Sequence, residues 1–389
     1  MNKLQTTIKI LFIFFYLFII HCSNHESSTK WPTAGWEIAT ATSQGVNYDS
    51  LYVFSTQLES GDLGYIDGML VIRNGMIVFE KEYTNDYDSL FKTTGTKQGK
   101  YNYYDPLWHP YYNNTRLHTM QSVSKSFTAT AVGIAIKNGS IPGLDQKIMD
   151  YFDEYESSTP DPRRKAMTIR DVLTMTTGIQ WDESSMPYTD PTSNCVQMEE
   201  SQDWIQYVID QPMAFEPGEK YEYNSGATML LSYLINKTTG QDLADYVKTN
   251  LFEILGIKDY YWKHTPTGLT DAEGGLYLSS RDLAKFGYLY LHNGKWDSNQ
   301  LLPEYWVENT QAKPVDTIWP NFKYGFQWWL MSYGKDHTAL LASGLGGQRM
   351  IVLPELDIVA VFTGWNIYEK PALDSWMAMN KIIDAVVDE

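Results

Sequence analysis

The sequence predicts an α+β fold, in which both ends of the chain form one antiparallel sheet flanked by helices and the middle forms an inserted, mostly helical region, as in an α/β sandwich. Near the N-terminal end, residues 67–73 and 76–80 flank Asn74-Gly75, a strong short-range signal for a β-hairpin. Near the C-terminal end, residues 348–353 and 357–362 form a second strand pair. A final helix is predicted from about Pro371 to Val387 and would pack on the sheet.

The middle of the chain carries the helix signals. Helices are predicted over residues 168–175 with a threonine cap, over 227–236, over 243–255 before Gly256, and over 280–291 with Ser280 as N-cap. Aromatic residues are concentrated in the loops between them, including residues 181–198 and 324–329, where they could either wall a pocket or fill the core. We therefore divide the domain, residues 45–389, into a sheet part at 45–120 and 335–389 and a helical part at 121–334.

The first residues have the features of an export signal. Lys3 and Lys9 precede an apolar run over residues 10–20, which is short for a membrane span, and Cys22 follows directly. This arrangement resembles a bacterial lipoprotein signal over residues 1–22, in which the cysteine is lipidated. His21 departs from the small residue usual before that cysteine, so an ordinary cleaved signal and an uncleaved anchor remain alternatives. The expectation is an exported envelope protein, periplasmic or on the outer membrane side, with residues 23–44 as its tether.

Composition limits the possible functions. A net charge of −17 argues against nucleic acid as a partner, and membrane contact is expected only through the N-terminal lipid anchor. Cys22 and Cys195 are the only cysteines, so a lipidated Cys22 leaves no disulfide framework. The seven histidines are scattered and form no H-E-x-x-H motif, which makes a metal-dependent hydrolase the least favoured class. No cofactor is expected.

The most informative stretch is residues 118–140, where Ser122 and Lys125 form an S-x-x-K motif at the start of a predicted helix. A helix N-terminus favours a developing negative charge on the serine oxygen, and burial would lower the lysine pKa, so a neutral Lys125 could act as a base. The same motif occurs at Ser27–Lys30, Ser89–Lys92 and Ser332–Lys335 outside any helical pattern. Ser122 could therefore be a nucleophile or a plain N-cap beside a solvated lysine.

Two further segments carry polar groups in suggestive places. Residues 216–226 make a Pro-Gly turn and enter the helix that begins near Ala227, which places Tyr223 and Ser225 at its exposed N–H groups. Residues 341–348 contain three glycines before a strand, where backbone N–H groups could serve as donors to a ligand. Taken alone, the second segment is better explained as a glycine-rich turn between two strands.

Six segments in order resemble one family of serine hydrolases, which unites class C β-lactamases, D-alanyl-D-alanine carboxypeptidases, family VIII esterases and nylon-oligomer (6-aminohexanoate) hydrolases. The segments are SVSKSFTATAVGIAI, TIRDVLTMTTGI, EPGEKYEYNSGATMLL, LFEILGI, GGLYLSSRDLAKFGYLYL and ASGLGGQRMIVLPELDIVAVFTG. The resemblance covers about residues 45–388 and implies a β-lactamase/transpeptidase-like fold.

The resemblance also implies residue roles. Ser122 would be acylated, Lys125 would belong to the base network, and Tyr223 would shuttle protons. The backbone N–H groups of Leu345 and Ser122 would form the oxyanion hole. The remaining substrate-binding positions of the family motifs fall on Ser225, Ser343 and Gly344.

Two substitutions separate this chain from the family pattern. Ser225 replaces an asparagine that helps hold the substrate amide, and Ala342 replaces a cation that receives a substrate carboxylate. The expected function is therefore acyl-enzyme hydrolysis of a small ester or amide by an esterase or amidase. The alternatives are a catalytically silent binding or sensor module and a weak β-lactamase or D-alanyl carboxypeptidase.

Overall fold

The computed structural model describes residues 29–87, 89, 92, 117–367 and 372–387. The predicted signal over residues 1–22, which includes Cys22, and residues 23–28 of the predicted tether lie outside these residues, as does Pro371. All elements described below belong to the compact unit that begins at Trp31. Across the described ranges, no helix has both the length and the apolar character that crossing a bilayer requires.

The strands of the described residues are numbered in chain order. They are β1 Glu37–Ile38, β2 Ile66–Arg73, β3 Met76–Glu82, β4 His118–Thr119, β5 Tyr261–Trp262, β6 Leu276–Leu278, β7 Lys295–Trp296, β8 Asn299–Gln300, β9 Val315–Asp316, β10 Lys323–Gly325, β11 Trp328–Tyr333, β12 His337–Gly344, β13 Gln348–Leu353 and β14 Ile358–Gly364.

The α-helices of the same residues are numbered likewise. They are α1 Tyr48–Glu59, α2 Ser124–Lys137, α3 Ile169–Leu173, α4 Asn194–Glu200, α5 Trp204–Asp210, α6 Ser225–Thr239, α7 Leu243–Val247, α8 Glu253–Leu255, α9 Ser280–Leu291, α10 Tyr305–Ala312 and α11 Ser375–Ile383. A π-helical segment, Lys248–Phe252, joins α7 to α8, and short 3₁₀ turns occur at Gln121–Val123, Ile148–Tyr151 and elsewhere.

The main sheet contains strands from both ends of the chain, as predicted. Its order is β1-β3-β2-β14-β13-β12-β11-β10-β9, and neighbouring strands are antiparallel except for the parallel pair β1 and β3. The β2–β3 hairpin turns through Asn74 and Gly75, which both have positive φ. Three strands, β9 to β11, were not expected, because they fall within the region that we assigned to the helical part.

The sheet has a hydrophobic core on each face. On β2, Leu70 and Ile72 pack toward the helical region, whereas Met69 and Val71 pack toward α1 and α11. This alternation follows from the two-residue period of a strand. Helix α9 covers the sheet from the helical side and contacts β13 and β14. The α+β architecture with helices on both faces is therefore confirmed.

Local signals predicted part of the helices, and their ends less well. Helices α1, α4, α5 and α10 were not predicted. Thr168 caps α3 in a capping box with Asp171, as expected. Helix α6 begins at Ser225, two residues before the predicted start, and Ser279 rather than Ser280 caps α9. The predicted helix over residues 243–255 is interrupted by its π-helical segment and ends before Gly256, which has a φ of 70°.

Candidate active site

Ser122 lies in a 3₁₀ turn, Gln121–Val123, that leads directly into α2. Its side chain caps neither helix, so the interpretation of Ser122 as an N-cap is wrong; the backbone continues from the turn into α2 without the extended residue that a side-chain cap requires. Gln121, directly before it, has a φ of 46°, a strained conformation for a residue other than glycine. Ser122 is half-buried, so the residue keeps contact with solvent.

Strand β6 holds the turn that contains Ser122 through hydrogen bonds on one side. The backbone N–H of Met120 donates to the carbonyl of Leu276 at 2.7 Å, and the backbone N–H of Leu276 donates to Ser124 Oγ at 3.1 Å. These bonds on either side of Ser122 hold the nucleophile's turn against a strand that is about 150 residues away in the chain. The strained backbone at Gln121 is therefore supported by its surroundings.

Lys125 is fully buried and directs its ammonium group at Ser122. Its Nζ donates to Ser122 Oγ at 3.0 Å, to the carbonyl oxygen of Glu273 at 2.8 Å and to Glu273 Oε2 at 3.0 Å. All three protons of an ammonium group are thus engaged. The alternative of a solvated lysine is wrong, and the motif has the geometry of a nucleophile beside a proton-carrying group.

The protonation state of Lys125 differs from the expectation. Burial alone lowers the pKa of Lys125, but the negative charges of Tyr223 in its phenolate form, Glu273 and Glu183 outweigh burial and raise that pKa above the ordinary value. The carboxylate at 3.0 Å is the direct cause that operates near neutral pH. The expectation of a neutral lysine is therefore wrong for the resting protein, since the sequence could not show that Glu273 pairs with Lys125.

Tyr223 completes the group. Its phenol lies beside the Ser122 side chain and interacts with it, and the Lys125 Nζ lies 5.3 Å from the centre of its ring. Burial raises the pKa of Tyr223, the charge of Lys125 opposes that rise, and Glu183 adds to it; the net direction is upward. Near neutral pH the resting site therefore holds a neutral phenol and an ammonium around one serine hydroxyl. Trp329 stacks on the Tyr223 ring with the ring centres 5.7 Å apart.

Ser225 does not face the place where a substrate would bind. Its side chain is 1% exposed, and its Oγ donates to Glu183 Oε1 at 2.8 Å while its backbone N–H donates to Glu183 Oε2 at 2.9 Å. The expected role of Ser225 in substrate binding is contradicted by these contacts, because both of its donors are engaged with a buried carboxylate.

The end of β12 lies against the nucleophile's turn. A Cβ on Gly344 would lie 2.3 Å from the carbonyl oxygen of Met120, so only glycine allows this close approach. Ser343, Gly344 and Leu345 are half-buried, and Ala342 is buried in the core beneath them. The structure thus brings the end of β12 against the turn that carries Ser122, and the roles expected of Ser343 and Leu345 stay predictions.

Two carboxylates of the site were not identified from the sequence. Glu273 lies in the loop between β5 and β6, where Asp271 Oδ1 accepts the backbone N–H of Gly274 at 3.1 Å and so holds the loop. Burial, together with Glu273, raises the pKa of Asp271 to about 7. Glu183 lies in the aromatic loop before α4. Glu273 directly precedes a segment that carries the family resemblance, but no spacing rule connects either glutamate to Ser122.

One cluster could hold a metal ion among the described residues. Ligand atoms of Cys195, Glu199 and Glu273 all lie within 4.8 Å of one another. Burial, however, raises the pKa of the Cys195 thiol well above its usual value, and Glu273 is already paired with the Lys125 ammonium. A cation there would have to displace both a proton and the ammonium group. We therefore assign no metal role to this cluster.

Comparison with known proteins gives a consistent result. A family model described as Beta-lactamase matches residues 68–365. A 6-aminohexanoate-dimer hydrolase from Paenarthrobacter ureafaciens is 26% identical over 264 residues, which cover 63% of this chain and 65% of that protein. The chain thus spans slightly less than two thirds of the length of this relative.

Solved structures show the same fold. A candidate 6-aminohexanoate-dimer hydrolase from Bacillus anthracis superposes with a TM-score of 0.68 at 19% identity, over 92% of this chain and 88% of that one. EstCE1, a hydrolase with promiscuous acyltransferase activity, superposes with a TM-score of 0.64 at 16% identity, over 87% of this chain and 99% of that one.

Proposed function

The chain belongs to the Beta-lactamase family, and from this premise we propose that it is a serine hydrolase that cleaves a small ester or amide through an acyl-enzyme on Ser122. The observation that carries the proposal is the convergence on the Ser122 hydroxyl of the Lys125 ammonium, at 3.0 Å, and the Tyr223 phenol. A nucleophile, a proton-transfer pair and nearby backbone donors are the parts that acyl transfer needs.

Acylation begins with attack of Ser122 Oγ on the substrate carbonyl carbon. The new O–C bond forms as the carbonyl electrons move onto oxygen, and the serine proton passes to the Lys125–Tyr223 pair. The Glu273 carboxylate can take a proton from Lys125 at 3.0 Å, which frees the amine to accept the serine proton. The pair then protonates the leaving alcohol or amine as its bond to carbon breaks, and Glu273 returns its proton to Lys125.

The negative charge of the tetrahedral intermediate is met by backbone N–H groups. Those of Ser122 and Leu345 serve this purpose in the proposal, because the Gly344 contact keeps the end of β12 against the nucleophile's turn. Each such donor contributes about 3–4 kcal/mol to the transition state. In the second half-reaction, water attacks the acyl carbon, gives its proton to the same pair, and releases the acid and the Ser122 hydroxyl.

The charges around Ser122 favour substrates without a carboxylate. Ala342 supplies no cation, and Glu183 and Glu273 are both buried beside Lys125. A carboxylate-bearing β-lactam or D-alanyl peptide would therefore meet excess negative charge. Neutral esters and amides avoid this cost.

The test is a substrate panel with intact-mass analysis. Uncharged short-chain nitrophenyl esters and small amides should be turned over, cephalosporins should be poor substrates, and a fluorophosphonate should add one adduct on Ser122. No adduct and no turnover across the panel would contradict the enzyme assignment and favour a silent binding module. Faster hydrolysis of cephalosporins than of neutral esters would contradict the substrate class alone.

We also propose that the protein is exported and lipid-anchored at Cys22, in the bacterial envelope. The apolar run over residues 10–20 and the cysteine that follows it support this location. Metabolic labelling with a palmitate analogue should mark the wild-type protein and leave Cys22→Ser unmarked. Label retained in that variant would contradict the anchor.

A further inference from the structure

Glu183 is a buried carboxylate that is hydrogen-bonded to Ser225, at the start of α6, and to two residues of its own loop. It lies in the loop before α4 and is 1% exposed. Its Oε2 accepts from Ser225 N at 2.9 Å and from Trp181 Nε1 at 2.6 Å, and its Oε1 accepts from Ser225 Oγ at 2.8 Å and from the Tyr188 hydroxyl at 3.3 Å. Four donors for two oxygens satisfy an ionised carboxylate.

Two of these bonds hold the first turn of α6. A helix begins with backbone N–H groups that have no partner within the helix. Glu183 accepts the one from Ser225, and the Asn224 side chain accepts the one from Ala227 at 2.8 Å. Helix α6 has 15 residues, so its N-terminal dipole also favours the negative charge of Glu183. Tyr223 lies two residues before Ser225, and its position therefore depends on this anchor.

The charge of Glu183 reaches the catalytic group as well. The carboxylate raises the pKa of Lys125 and that of Tyr223, although it touches neither directly. Burial raises the pKa of Glu183 itself, and the charge of Lys125 opposes that rise. The titratable groups that interact with Glu183 come from several elements: Lys125 on α2, Glu273 before β6, Tyr221 and Tyr223 before α6, Tyr188 in its own loop, Cys195 on α4 and Tyr324 on β10.

We infer that Glu183 is a positioning residue of the proposed hydrolase: it anchors the start of α6, and thereby the Tyr223 phenol, and its negative charge adds to that of Glu273 in acting on the Lys125–Tyr223 pair. The inference rests on the proposed function. It also explains why Ser225 can replace the asparagine of the related motif, since the Ser225 hydroxyl binds this carboxylate rather than a substrate.

Glu183→Gln separates charge from shape. The glutamine oxygen can accept from Ser225 N and Trp181 Nε1, and its amide NH₂ can donate to the Ser225 and Tyr188 hydroxyls, because hydroxyl groups also accept. All four partners stay satisfied while the charge is lost. Asp357→Asn is the matched control: Asp357 is a half-buried carboxylate that interacts with Arg73, beyond the end of β13 that lies away from Gly344. Asparagine tolerates its φ of 51°.

The experiment measures kcat/KM against pH for an uncharged nitrophenyl ester with wild type, E183Q and D357N. Every limb of the profile that Lys125 or Tyr223 produces should move to lower pH in E183Q, because the removed charge raised both pKa values. The D357N profile should follow wild type. An E183Q profile that superimposes on wild type overturns the inference while the proposed function stands. A wild type with neither turnover nor a fluorophosphonate adduct overturns both.

Ser225→Ala tests the anchoring independently and serves if E183Q does not fold. It keeps the carboxylate and removes one hydrogen bond to it, so kcat should fall severalfold with KM and the position of the pH profile unchanged. A wild-type kcat in S225A would overturn the anchoring role. A shifted profile in S225A would show that packing, rather than charge, sets the titration and would also overturn the inference.

Discussion

Two copies of the same S-x-x-K spacing, Ser122–Lys125 and Ser332–Lys335, have very different surroundings. Lys125 is fully buried, and its ammonium lies 3.0 Å from Ser122 Oγ and 3.0 Å from Glu273 Oε2. Ser332 is at the end of β11, Lys335 is in the turn that follows it, and both are exposed. The S-x-x-K spacing therefore permits a serine–lysine pair but is not sufficient for one. The Glu273 carboxylate, from a loop distant in sequence, completes the pair at Ser122.

The largest expected effect comes from removing the nucleophile. Ser122→Ala should lower kcat/KM on a nitrophenyl ester by about 10⁴-fold or more and abolish the fluorophosphonate adduct. Ser332→Ala, the matched change in the second motif, should keep wild-type kinetics because its hydroxyl has no comparable environment. Steady-state kinetics and intact mass measure both. Turnover retained in S122A would contradict the assignment of Ser122, rather than Ser332, as the nucleophile.

Tyr223 is the proton-transfer group beside Ser122–Lys125 that the Ser332–Lys335 motif lacks. Tyr223→Phe should lower kcat by about 10³-fold, since a positioned proton donor and acceptor is lost while the stacking on Trp329 remains. Tyr221→Phe is the control, because the buried Tyr221 hydroxyl has no hydrogen-bond partner in the described structure. Steady-state kinetics on the same ester measure kcat for both variants. Equal effects of Y223F and Y221F would show that the Tyr223 phenol takes no part in proton transfer.

Substitution of Lys125 should change the stability of the protein more than substitution of Lys335. Lys125→Gln should lower the free energy of unfolding by about 3–5 kcal/mol, because it leaves Glu273 buried without its counter-charge. Folding raises the pKa of Lys125, so the contribution of its charge is complete below the ordinary lysine pKa, about 10.4. It is lost only as the pH rises through the folded-state value.

Urea unfolding from neutral to alkaline pH tests this prediction. The loss caused by K125Q should be present across neutral pH and shrink only above about pH 10. Lys335→Gln, in the exposed turn, should stay within about 0.5 kcal/mol of wild type. Wild-type stability of K125Q at neutral pH would contradict the buried ion pair.

The smallest expected effect distinguishes two glycines. Gly344→Ala should lower kcat about tenfold, because a Cβ would meet the Met120 carbonyl oxygen at 2.3 Å and push β12 away from the nucleophile's turn. Gly334, in the turn of the second motif, has a φ of 56°, and its Cβ would meet only the His337 side chain, at 3.1 Å. Gly334→Ala should cost about 1 kcal/mol of stability and leave kcat unchanged. Kinetics and thermal unfolding of both variants check this; a larger kcat loss in G334A would contradict it.

Much of the fold followed from local signals. Asn74-Gly75 predicted the first hairpin, and Thr168 predicted a capping box, because both depend on residues within a few positions of each other. Strands β9 and β10 were missed because they have only two and three residues. Strand β11 was missed because it begins within residues 324–329, which we interpreted as an aromatic loop. The helix boundary at Ser122 was wrong, since a 3₁₀ turn precedes α2 there.

The sequence by itself determined which groups are available: a serine and a lysine on one turn, a tyrosine before α6, and glycines at the end of β12. Only the tertiary structure decided the protonation state and the orientation of those groups. Glu273 reaches Lys125 across 148 positions of the chain and keeps it charged, and Glu183 reaches Ser225 across 42 positions and turns it away from the substrate. Protonation and orientation depend on charges and donors within a few ångströms, and residues so distant in sequence become neighbours only when the chain folds.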